Sequence, residues 1–434
     1  MCGIVAVMAQ PSSRPAPGAD QVEKAVADAL SQLEVLGPAT APAGQLSALR
    51  GATGALSELS SALQGVPGLT CLLGDGGAAE ALQRGAAQLQ AQVARLEAAL
   101  DAGEIAVGTE QLEEINAALV SLHDVIWALG HDRLNAARSV SSLAASLGLL
   151  GEGVRPNPGA LGVLWAVQVA FSSLDRLEVR GRDSAGLHLM LAGHGLDLAS
   201  PELRALVGAR SADPLFGSLA VRATEGCLSV VYKAAAEIGE LGDNVAALRR
   251  ALGTDPLLAR ALASPEIRAT VVAHTRWASV GLISPANAHP LNSEEAGASA
   301  PGPYVIGALN GDVDNYPELL ALEDVKVPAE VTTDAKIIPT LVSRYLGAGH
   351  SMVEAFRRAV ERMEGSVGIV ANAAGSVDEL FLALRGSGQS INIGLAEDAF
   401  VIASEPYGLV EETSRYVRMN GEGGGQVVRC SRRG

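Results

Sequence analysis

The sequence predicts an α+β fold built on packed β-sheets, with a large all-helical insertion after the first strand. Two observations support this prediction. From about residue 160 onward, short apolar runs typical of strands lie among a few helical patterns, and a similar run, MCGIVAVMA, opens the chain. Between these parts the apolar residues keep helical spacing, and Trp127 is the only aromatic residue. The first strand is therefore expected to join the C-terminal part, with residues 11–158 as the insertion.

The composition is that of a globular protein with an acidic surface. The 434 residues are enough for two or three domains, and 48% of them are hydrophobic. Only 3% are aromatic, so the core consists mainly of Ala, Leu and Val. The net charge of −16 argues against nucleic acid and anionic membrane as partners, because both require a basic face.

The four cysteines indicate a reduced compartment. Cys2, Cys71, Cys227 and Cys430 are far apart and form no C-x-x-C pair, which argues against a zinc site and a disulfide framework. The opening apolar run has no basic region before it and is too short to span a membrane, so neither a signal peptide nor an anchor is expected. We expect a cytoplasmic protein without a metal or cofactor.

Three apolar stripes predict helices in the insertion. Their steps alternate between three and four residues, so each stripe marks one face of a helix. The segment DAGEIAVGTE separates the last two stripes and predicts an antiparallel helical hairpin. With a less regular leucine pattern at 46–63, the insertion is expected to be a bundle of about four to six helices. The stripes are Val22, Val26, Ala29, Leu33 and Leu36; Leu82, Ala86, Leu89, Val93, Leu96 and Leu100; and Leu112, Ile115, Leu119, Leu122, Ile126 and Leu129.

The predicted strands are concentrated in the C-terminal part. Helical patterns lie among them at 161–178 and 334–346. The strand-like runs are GLHLMLA, LSVVYKA, ATVVAHT, PYVIGAL, GSVGIVANAA, ELFLALRG, INIGLAE and AFVIASE.

Cys2 directly follows the first methionine, and the opening stretch leaves its role open. Free cysteine commonly behaves as a small buried hydrophobe. Removal of Met1 would instead leave a thiol and a free α-amine on one residue, which is a nucleophile beside its own base. An α-amine has an ordinary pKa of about 8, which suits it to proton transfer near neutral pH.

Six segments carry most of the residues with catalytic potential. They are CGIVAV at 2–7, LEVRGRDSAGL at 177–187, HTRWASVGLISPANAHP at 274–290, LNGDVDNYPEL at 309–319, TTDAKII at 332–338 and FVIASEPYGLVEETSRYVRMNGE at 400–422. In this order they resemble the glutaminase domain of the glutamine–fructose-6-phosphate aminotransferases, which are class II glutamine amidotransferases of the N-terminal-nucleophile hydrolase type. The resemblance covers residues 2–9 and roughly 160–430, and it implies a four-layer αββα sandwich. The implied glutaminase domain consists of residues 2–10 and 159–430.

The resemblance implies the catalytic groups. Cys2 would be the nucleophile that forms a thioester with glutamine. The Asn310 side-chain amide and the Gly311 N–H would stabilise the oxyanion, a contribution of about 3–4 kcal/mol for one donor. Asn-Gly is also a common hairpin turn, and the pair could serve both purposes.

The same resemblance implies the residues that bind free glutamine. Arg276 can bind the α-carboxylate with two parallel hydrogen bonds, and Asp334 can bind the α-ammonium. Trp277 would close over the substrate, and Ser279 would line its site. For Arg276 and Asp334, an ordinary surface charge remains the alternative interpretation.

Arg180 resembles the family arginine beside the nucleophile, which places it among the expected catalytic residues; a structural ion pair with Asp183 is the alternative interpretation. His289, in N-A-H-P, is interpreted as a structural hydrogen-bonding residue. The remaining histidines show no metal spacing and are taken as structural or exposed; they are His123, His131, His188, His194, His274 and His350.

Two segments depart from the family pattern. After T-R-W-A the family usually has Thr-His, whereas this chain has Ser279-Val280, which keeps the hydroxyl and loses an imidazole. The family's T-D-T-E becomes Thr333–Lys336, which keeps Asp334 and loses the glutamate. The departures leave Cys2, Arg276, Asn310, Gly311 and Asp334 in place, which favours an active enzyme.

The predicted function is hydrolysis of L-glutamine to glutamate and ammonia. The ammonia would aminate fructose 6-phosphate on sugar isomerase domains, which this sequence does not include and which would lie in the same longer chain or in a separate subunit. The alternatives are a degenerate glutaminase-like binding or assembly module and an amidotransferase with another acceptor. The helical insertion could support a homo-oligomer.

Overall fold

The chain divides into two units. The smaller unit is Ser12–Ser142, and the larger unit joins residues 2–11 to residues 143–432. Residues 143–158, which the sequence analysis placed in the insertion, group with the larger unit. The computed structural model describes residues 2–34, 36, 41–74, 76–105, 108–224, 226–235, 240–298 and 301–432.

The smaller unit is helical. Its helices are α1 (Ala19–Glu34), α2 (Pro42–Ala62), α3 (Gly65–Leu72), α4 (Ala78–Asp101), α5 (Thr109–Trp127) and the part of α6 (Leu134–Ser146) that precedes residue 143. Helix α1 packs against α2 and α4, and both of these also pack against α5, which gives a four-helix bundle. The predicted stripe of α1 is buried from Val22 to Leu33, whereas Leu112 in α5 is 37% exposed. A π-helical turn, Ala128–Arg133, joins α5 to α6.

The larger unit contains two antiparallel sheets. The first has the strand order β12-β10-β11-β1-β5-β2-β4-β3 and the second β13-β9-β8-β7-β6. All nine strands predicted from apolar runs are present, and the strands that the sequence analysis missed are β3, β6, β12 and β13. The strands are β1 (Gly3–Ala9), β2 (Ser184–Ala192), β3 (Val221–Thr224), β4 (Cys227–Ala234), β5 (Arg268–Arg276), β6 (Leu291–Asn292), β7 (Val305–Val313), β8 (Gly365–Ala373), β9 (Glu379–Arg385), β10 (Asn392–Ala396), β11 (Ala399–Ala403), β12 (Tyr416–Arg418) and β13 (Gln426–Ser431).

Helices cover the outer faces of the two sheets. They are α7 (Pro158–Leu177), α8 (Pro201–Ser211), α9 (Asp243–Gly253), α10 (Pro256–Ala261), α11 (Tyr316–Leu322), α12 (Ile337–Gly347) and α13 (Met352–Arg362). Helix α7 packs on β1 and β5 of the first sheet, and α12 and α13 pack on the second. One core, including Ile4, Val272 and Ile306, fills the space between the sheets. The layers therefore run helix, sheet, sheet, helix, which is an α+β architecture.

Helix α7 belongs to the helical layer that covers the first sheet, and most of its residues are buried. The segment Pro158–Arg180 is long and apolar enough to cross a membrane, but 78% of its most apolar stretch is buried inside the fold. This burial is that of a core helix, whose apolar residues face other parts of the protein on nearly every side.

Candidate active site

The Cys2 thiol lies against the backbone of the loop that follows β5. The Trp277 N–H donates to Sγ at 3.2 Å, and Sγ lies 3.4 Å from the Trp277 carbonyl oxygen. Burial raises the pKa of the thiol, while the Trp277 N–H and the Arg276 charge oppose that rise. The thiol is therefore protonated at neutral pH, and it needs a proton acceptor before it can attack a carbonyl carbon.

Strand pairing brings Arg276 to the same end of the first sheet as Cys2. Strands β1 and β5 are antiparallel, with Gly3 opposite Thr275, so the residue before β1 lies near the last residue of β5. Strand β2 pairs on the other side of β5, with Ser184 opposite Arg276. Arg276 therefore has a strand partner on β2 and lies one residue beyond the last pair with β1, and it is only 2% exposed.

The Arg276 guanidinium is held by its own loop. It donates to the carbonyl oxygen of Leu282 at 2.9 Å and to that of Val280. Burial lowers the pKa of Arg276, whereas the charges of Cys2 and Asp334 oppose the fall. The guanidinium therefore lies within electrostatic reach of both the proposed nucleophile and the proposed ammonium ligand.

The Asn310 side chain meets Cys2 from the second sheet. Its Nδ2 donates to the Cys2 carbonyl oxygen at 3.0 Å. Gly311 has φ +92°, and a Cβ there would lie 1.8 Å from the Ser366 carbonyl oxygen on β8. The predicted hairpin turn at Asn-Gly is wrong, because β7 runs on to Val313 and pairs with β8 across both residues. Glycine is required here by the backbone conformation and by the close approach of β8.

Asp334 opens a short 3₁₀ turn before α12 and contacts the end of β7. Its Oδ2 accepts the Val313 N–H at 2.7 Å. Burial raises the pKa of the Asp334 carboxyl, the Val313 N–H opposes this, and the charge of Asp312 adds to the rise. A bound cation would relieve both the burial and the repulsion between the two carboxylates.

Lys336 replaces the glutamate expected from the resemblance, and it is used structurally. Its Nζ donates to the carbonyl oxygens of Asn292 and Glu294, each at 2.7 Å. Burial lowers the pKa of Lys336 to about 8. The side chain thus ties the start of α12 to the strand β6 region.

Ser279 and Trp277 lie on the loop above Cys2. The Ser279 hydroxyl donates to Asp312 Oδ1 at 2.7 Å, and the Trp277 side chain is 56% exposed. Asp312 was not among the predicted site residues, yet its charge raises the pKa of the Cys2 thiol. Its position directly after the Asn310-Gly311 pair was the available signal.

Arg180 is fixed by residues that follow β11. Its Nε donates to the Tyr407 hydroxyl at 2.8 Å, and an Nη forms an ion pair with Glu405 at 2.9 Å. Ser404, the preceding residue, accepts the Ile4 N–H on its hydroxyl at 3.2 Å and donates its own N–H to the Ile4 carbonyl at 3.0 Å. These bonds hold the partner of Arg180 beside the N-terminal end of β1.

Asp183 holds the loop after β5. Its Oδ2 accepts the Ala278 N–H at 2.8 Å, so this carboxylate supports the backbone of the loop, whereas Arg180 forms an ion pair with Glu405. Gly181 packs closely on the same loop, since a Cβ there would lie 2.6 Å from the Trp277 nitrogen. The R-G-R-D segment therefore shapes the backbone that contacts the thiol.

Two histidines in ring contact lie beneath the site. The His274 and His289 rings are 4.5 Å apart between centroids. His274 Nε2 lies 2.9 Å from the Leu309 carbonyl oxygen and 3.1 Å from Asn310 Oδ1, and His289 Nε2 lies 3.2 Å from the Thr333 hydroxyl. The sequence analysis took His274 as structural or exposed; it is fully buried and touches a proposed oxyanion donor.

The site thus combines a thiol, a carboxamide donor, a guanidinium and two carboxylates at one end of the sheets. Such a set is suited to acyl transfer from a substrate that carries both charges. Among the described residues, no group of three or more His, Cys, Asp or Glu side chains could hold a metal ion.

The comparisons with known proteins agree with the resemblance seen in the motifs. No family model matches the sequence. The glutamine–fructose-6-phosphate aminotransferase (isomerizing) of Geobacillus kaustophilus is 30% identical over 165 residues, which cover 38% of this chain and 26% of the relative. That of Escherichia coli O6:H1 is 33% identical over 170 residues, covering 39% and 26%. The chain spans about a quarter of the length of these curated relatives, and its resemblance to them is confirmed.

Solved structures give a weaker match. The allosteric regulatory enzyme of purine biosynthesis has a TM-score of 0.38 and 17% identity, with 62% of this chain and 46% of that chain covered. Glutamine phosphoribosylpyrophosphate amidotransferase from B. subtilis has a TM-score of 0.36 and 16% identity, covering 62% and 47%. Similarity of this extent says nothing about the chemistry of the site.

Proposed function

We propose that this chain, which is similar to the glutamine–fructose-6-phosphate aminotransferases over about two fifths of its length, hydrolyses L-glutamine to glutamate and ammonia. The observation that carries the proposal is the placement of Cys2. Its thiol lies 3.2 Å from the Trp277 nitrogen, and its carbonyl lies 3.0 Å from Asn310 Nδ2. Cys2 thus supplies a nucleophile and contacts both a loop that could cover a substrate and a side chain that can donate a hydrogen bond to an oxyanion.

The proposed reaction passes through a thioester. With Met1 removed, the Cys2 α-amine takes the thiol proton, and Sγ bonds to the side-chain amide carbon of glutamine. Asn310 Nδ2 and the Gly311 N–H stabilise the oxygen that becomes negative. The C–N bond then breaks, the α-amine returns its proton to the leaving nitrogen, and ammonia departs. Water attacks the thioester, which gives glutamate and the free thiol.

The charged groups of glutamine have complementary partners. In this proposal the α-carboxylate binds Arg276, in exchange for the loop carbonyls of Val280 and Leu282, and the α-ammonium binds Asp334. The exchange matters because the carbonyls are neutral, whereas a carboxylate compensates the buried charge of the guanidinium. Trp277 and Ser279 would cover and line the site.

Arg180 has a supporting part in the proposal. Its ion pair with Glu405 lies next to the segment that bonds β1 at Ile4, so it stabilises the N-terminal end of the strand that carries the nucleophile.

The acceptor and the assembly complete the proposal. We assign the chemistry to residues 2–10 and 159–430, as a four-layer αββα N-terminal-nucleophile hydrolase sandwich, and an assembly role to the inserted helices, including possible pairing of two copies. The ammonia would aminate fructose 6-phosphate on sugar isomerase domains, in the same longer chain or in a separate subunit, as the names of the relatives suggest. The four free cysteines support a reduced, cytoplasmic setting.

One observation favours a second function, a glutaminase-like binding or assembly module. Val280 stands where the resemblance expects a histidine, and its carbonyl accepts from the Arg276 guanidinium. If the loop never releases Arg276, glutamine does not bind productively. An amidotransferase with another acceptor would share the glutaminase site and differ only in where the ammonia goes.

The test is covalent labelling of Cys2. The chain, with loss of Met1 verified by intact mass, is treated with 6-diazo-5-oxo-L-norleucine, and the adduct is mapped by peptide mass spectrometry. We expect one adduct, on Cys2, that excess glutamine prevents, together with glutamate release by the untreated chain. Cys2→Ala should lose both the adduct and the release while remaining folded.

The matched control is Cys227→Ala, because Cys227 is a cysteine outside any disulfide, is 1% exposed and lies at the end of the first sheet opposite to Arg276. It should label and release glutamate like the unmodified chain. Labelling of Cys2→Ala to the same extent would contradict the proposal. Protected labelling of Cys2 without glutamate release would favour the binding module.

A further inference from the structure

We propose that His274 is a positioning residue that fixes the side-chain amide of Asn310 with its NH₂ group towards Cys2. The proposal rests on the glutaminase function proposed above, because it assigns the cause of the oxyanion donor's orientation. His274 would act only through Asn310 and would not touch the substrate.

The hydrogen-bond partners determine where the His274 proton lies. Nε2 lies 2.9 Å from the Leu309 carbonyl oxygen, and a backbone carbonyl can only accept. Nε2 therefore carries a hydrogen. The same N–H lies 3.1 Å from Asn310 Oδ1, so it holds the oxygen side of the amide.

The opposite orientation of the amide is excluded by its own contacts. If the amide flipped, its NH₂ group would face the His274 N–H, which places two donors together. Its Oδ1 would then face the Cys2 carbonyl oxygen, which now lies 3.0 Å from Nδ2, and two acceptors would meet. Asn310 is 2% exposed, so water cannot readily compensate for either mismatch.

Packing keeps His274 uncharged. The ring is fully buried and packs against the His289 ring, with the two centroids 4.5 Å apart and the planes tilted by 32°. Burial lowers the pKa of His274 to about 3, and the charge of Arg276 contributes to the fall. A neutral imidazole with its hydrogen on Nε2 is therefore maintained through the pH range of the reaction.

Strand geometry explains why the two groups lie on one element. His274 and Arg276 are two residues apart on β5, so both face the space between the sheets. Strand β5 would therefore supply the group that binds the α-carboxylate and the group that orients the amide. In the sequence, the two groups are the first and last residues of the triplet H-T-R at 274–276.

A double-mutant cycle tests the inference. His274→Leu removes the donor and should lower kcat about 10- to 100-fold, while KM changes less than about threefold. Asn310→Ala should lower kcat about 100- to 1000-fold. In the Asn310→Ala background, adding His274→Leu should lower kcat by less than about threefold, because no amide remains to be oriented.

The conservative variant and a matched control separate positioning from packing. His274→Gln places an amide donor near the Nε2 position and should recover most of the activity, whereas His274→Asn, which reaches only the Nδ1 position, should not. The control is His188→Gln, since His188 is also fully buried in the same sheet and bonds Ser229 at 2.7 Å. It should leave kcat unchanged.

A spectroscopic readout tests the inference without turnover. The Asn310 side-chain NH₂ signals, assigned by their loss in Asn310→Ala, should exchange slowly with solvent in the unmodified chain and in His274→Gln, and fast in His274→Leu or His274→Asn. Equal exchange in all of these proteins would overturn the inference, as would an undiminished effect of His274→Leu in the Asn310→Ala background. A chain that shows this exchange pattern but releases no glutamate would refute the proposed function alone.

Discussion

Burial sets the protonation of the residues around Cys2. It raises the pKa of the Cys2 thiol and of the Asp334 carboxyl, and it lowers the pKa of Arg276. Each shift disfavours the charged form, and each is opposed by a specific neighbour. A zwitterionic substrate would bring an ammonium group to Asp334 and a carboxylate to Arg276. Substrate binding would therefore stabilise the charged forms of these two side chains.

Lys233 is a buried charge outside the site. It lies on β4, is 5% exposed, and its Nζ has no hydrogen-bond partner among the described residues. Nζ lies 5.0 Å from the centre of the Phe216 ring. Burial and the charge of Lys336 lower the pKa of Lys233 to about 7, while the charge of Asp213 opposes this.

Replacing Lys233 should stabilise the larger unit in a pH-dependent way. The ordinary pKa of lysine is 10.5, so between about pH 7 and that value the unfolded chain binds more protons than the folded one, and the free energy of unfolding rises with pH. Lys233→Met removes this dependence. The substitution should raise the free energy of unfolding by an amount on the order of a few kcal/mol below about pH 7, and this increase should become smaller as the pH approaches 10.5.

Urea unfolding at about pH 6.5 and about pH 9.5 measures the effect of Lys233→Met. Lys326→Met is the control, because its side chain is 61% exposed and pairs only at the surface with Asp324. A stability difference that is the same at both pH values would contradict the burial of a titrating amine at Lys233.

Among the elements, β7 carries several site residues, and its path depends on one glycine. Gly311→Ala would combine a left-handed backbone conformation with a Cβ 1.8 Å from the Ser366 carbonyl oxygen. Strand β7 must then move away from β8, which also displaces Asn310. We expect a loss of stability above about 2 kcal/mol and a large loss of kcat, measured by urea unfolding and glutamate release.

Gly349→Ala isolates the contribution of the backbone conformation. Gly349 has φ +89°, but a Cβ there meets nothing within 4 Å. This control should cost about 1 kcal/mol and leave glutamate release unchanged. If Gly311→Ala were no more harmful than Gly349→Ala, the close approach of β8 would not be what requires glycine.

At the scale of the whole molecule, the division of the chain into two units predicts that each unit has its own role. None of the six motifs lies in Ser12–Ser142. Replacing residues 14–142 with a flexible Gly/Ser linker should leave a folded protein in which 6-diazo-5-oxo-L-norleucine labels Cys2. If the helices mediate assembly, sizing chromatography with light scattering should show a smaller oligomer than that of the full chain.

Two outcomes of this deletion would be contrary to expectation. Insoluble protein would mean that the larger unit requires the helices to fold. Soluble protein that no longer labels at Cys2, with Cys2→Ala in the same background as the reference, would mean that the helices contribute to the site.

The sequence by itself determined the elements with strong local patterns. The short apolar run at β1 and the helical spacing of the stripe in α1 are both local properties of the sequence, so run length identifies the strand and period identifies the helix. The ordered motifs also predicted Cys2, Arg276 and Asn310 as site residues, and the structure brings these three residues to one end of the sheets. Short edge strands such as β12, whose three residues are exposed, carry no such pattern and were missed.

Only the tertiary structure decided which side chains oppose one another across the two sheets. Alternation along β5 indicates that His274 and Arg276 share a face, but not that β7 lies opposite with Asn310. Likewise, the local preference of Asn-Gly for a hairpin turn is overridden by nine paired residues of β7 and β8. The partner of Arg180, Glu405, lies more than two hundred residues away along the chain. Such contacts follow from how two sheets stack, and no window of consecutive residues contains that information.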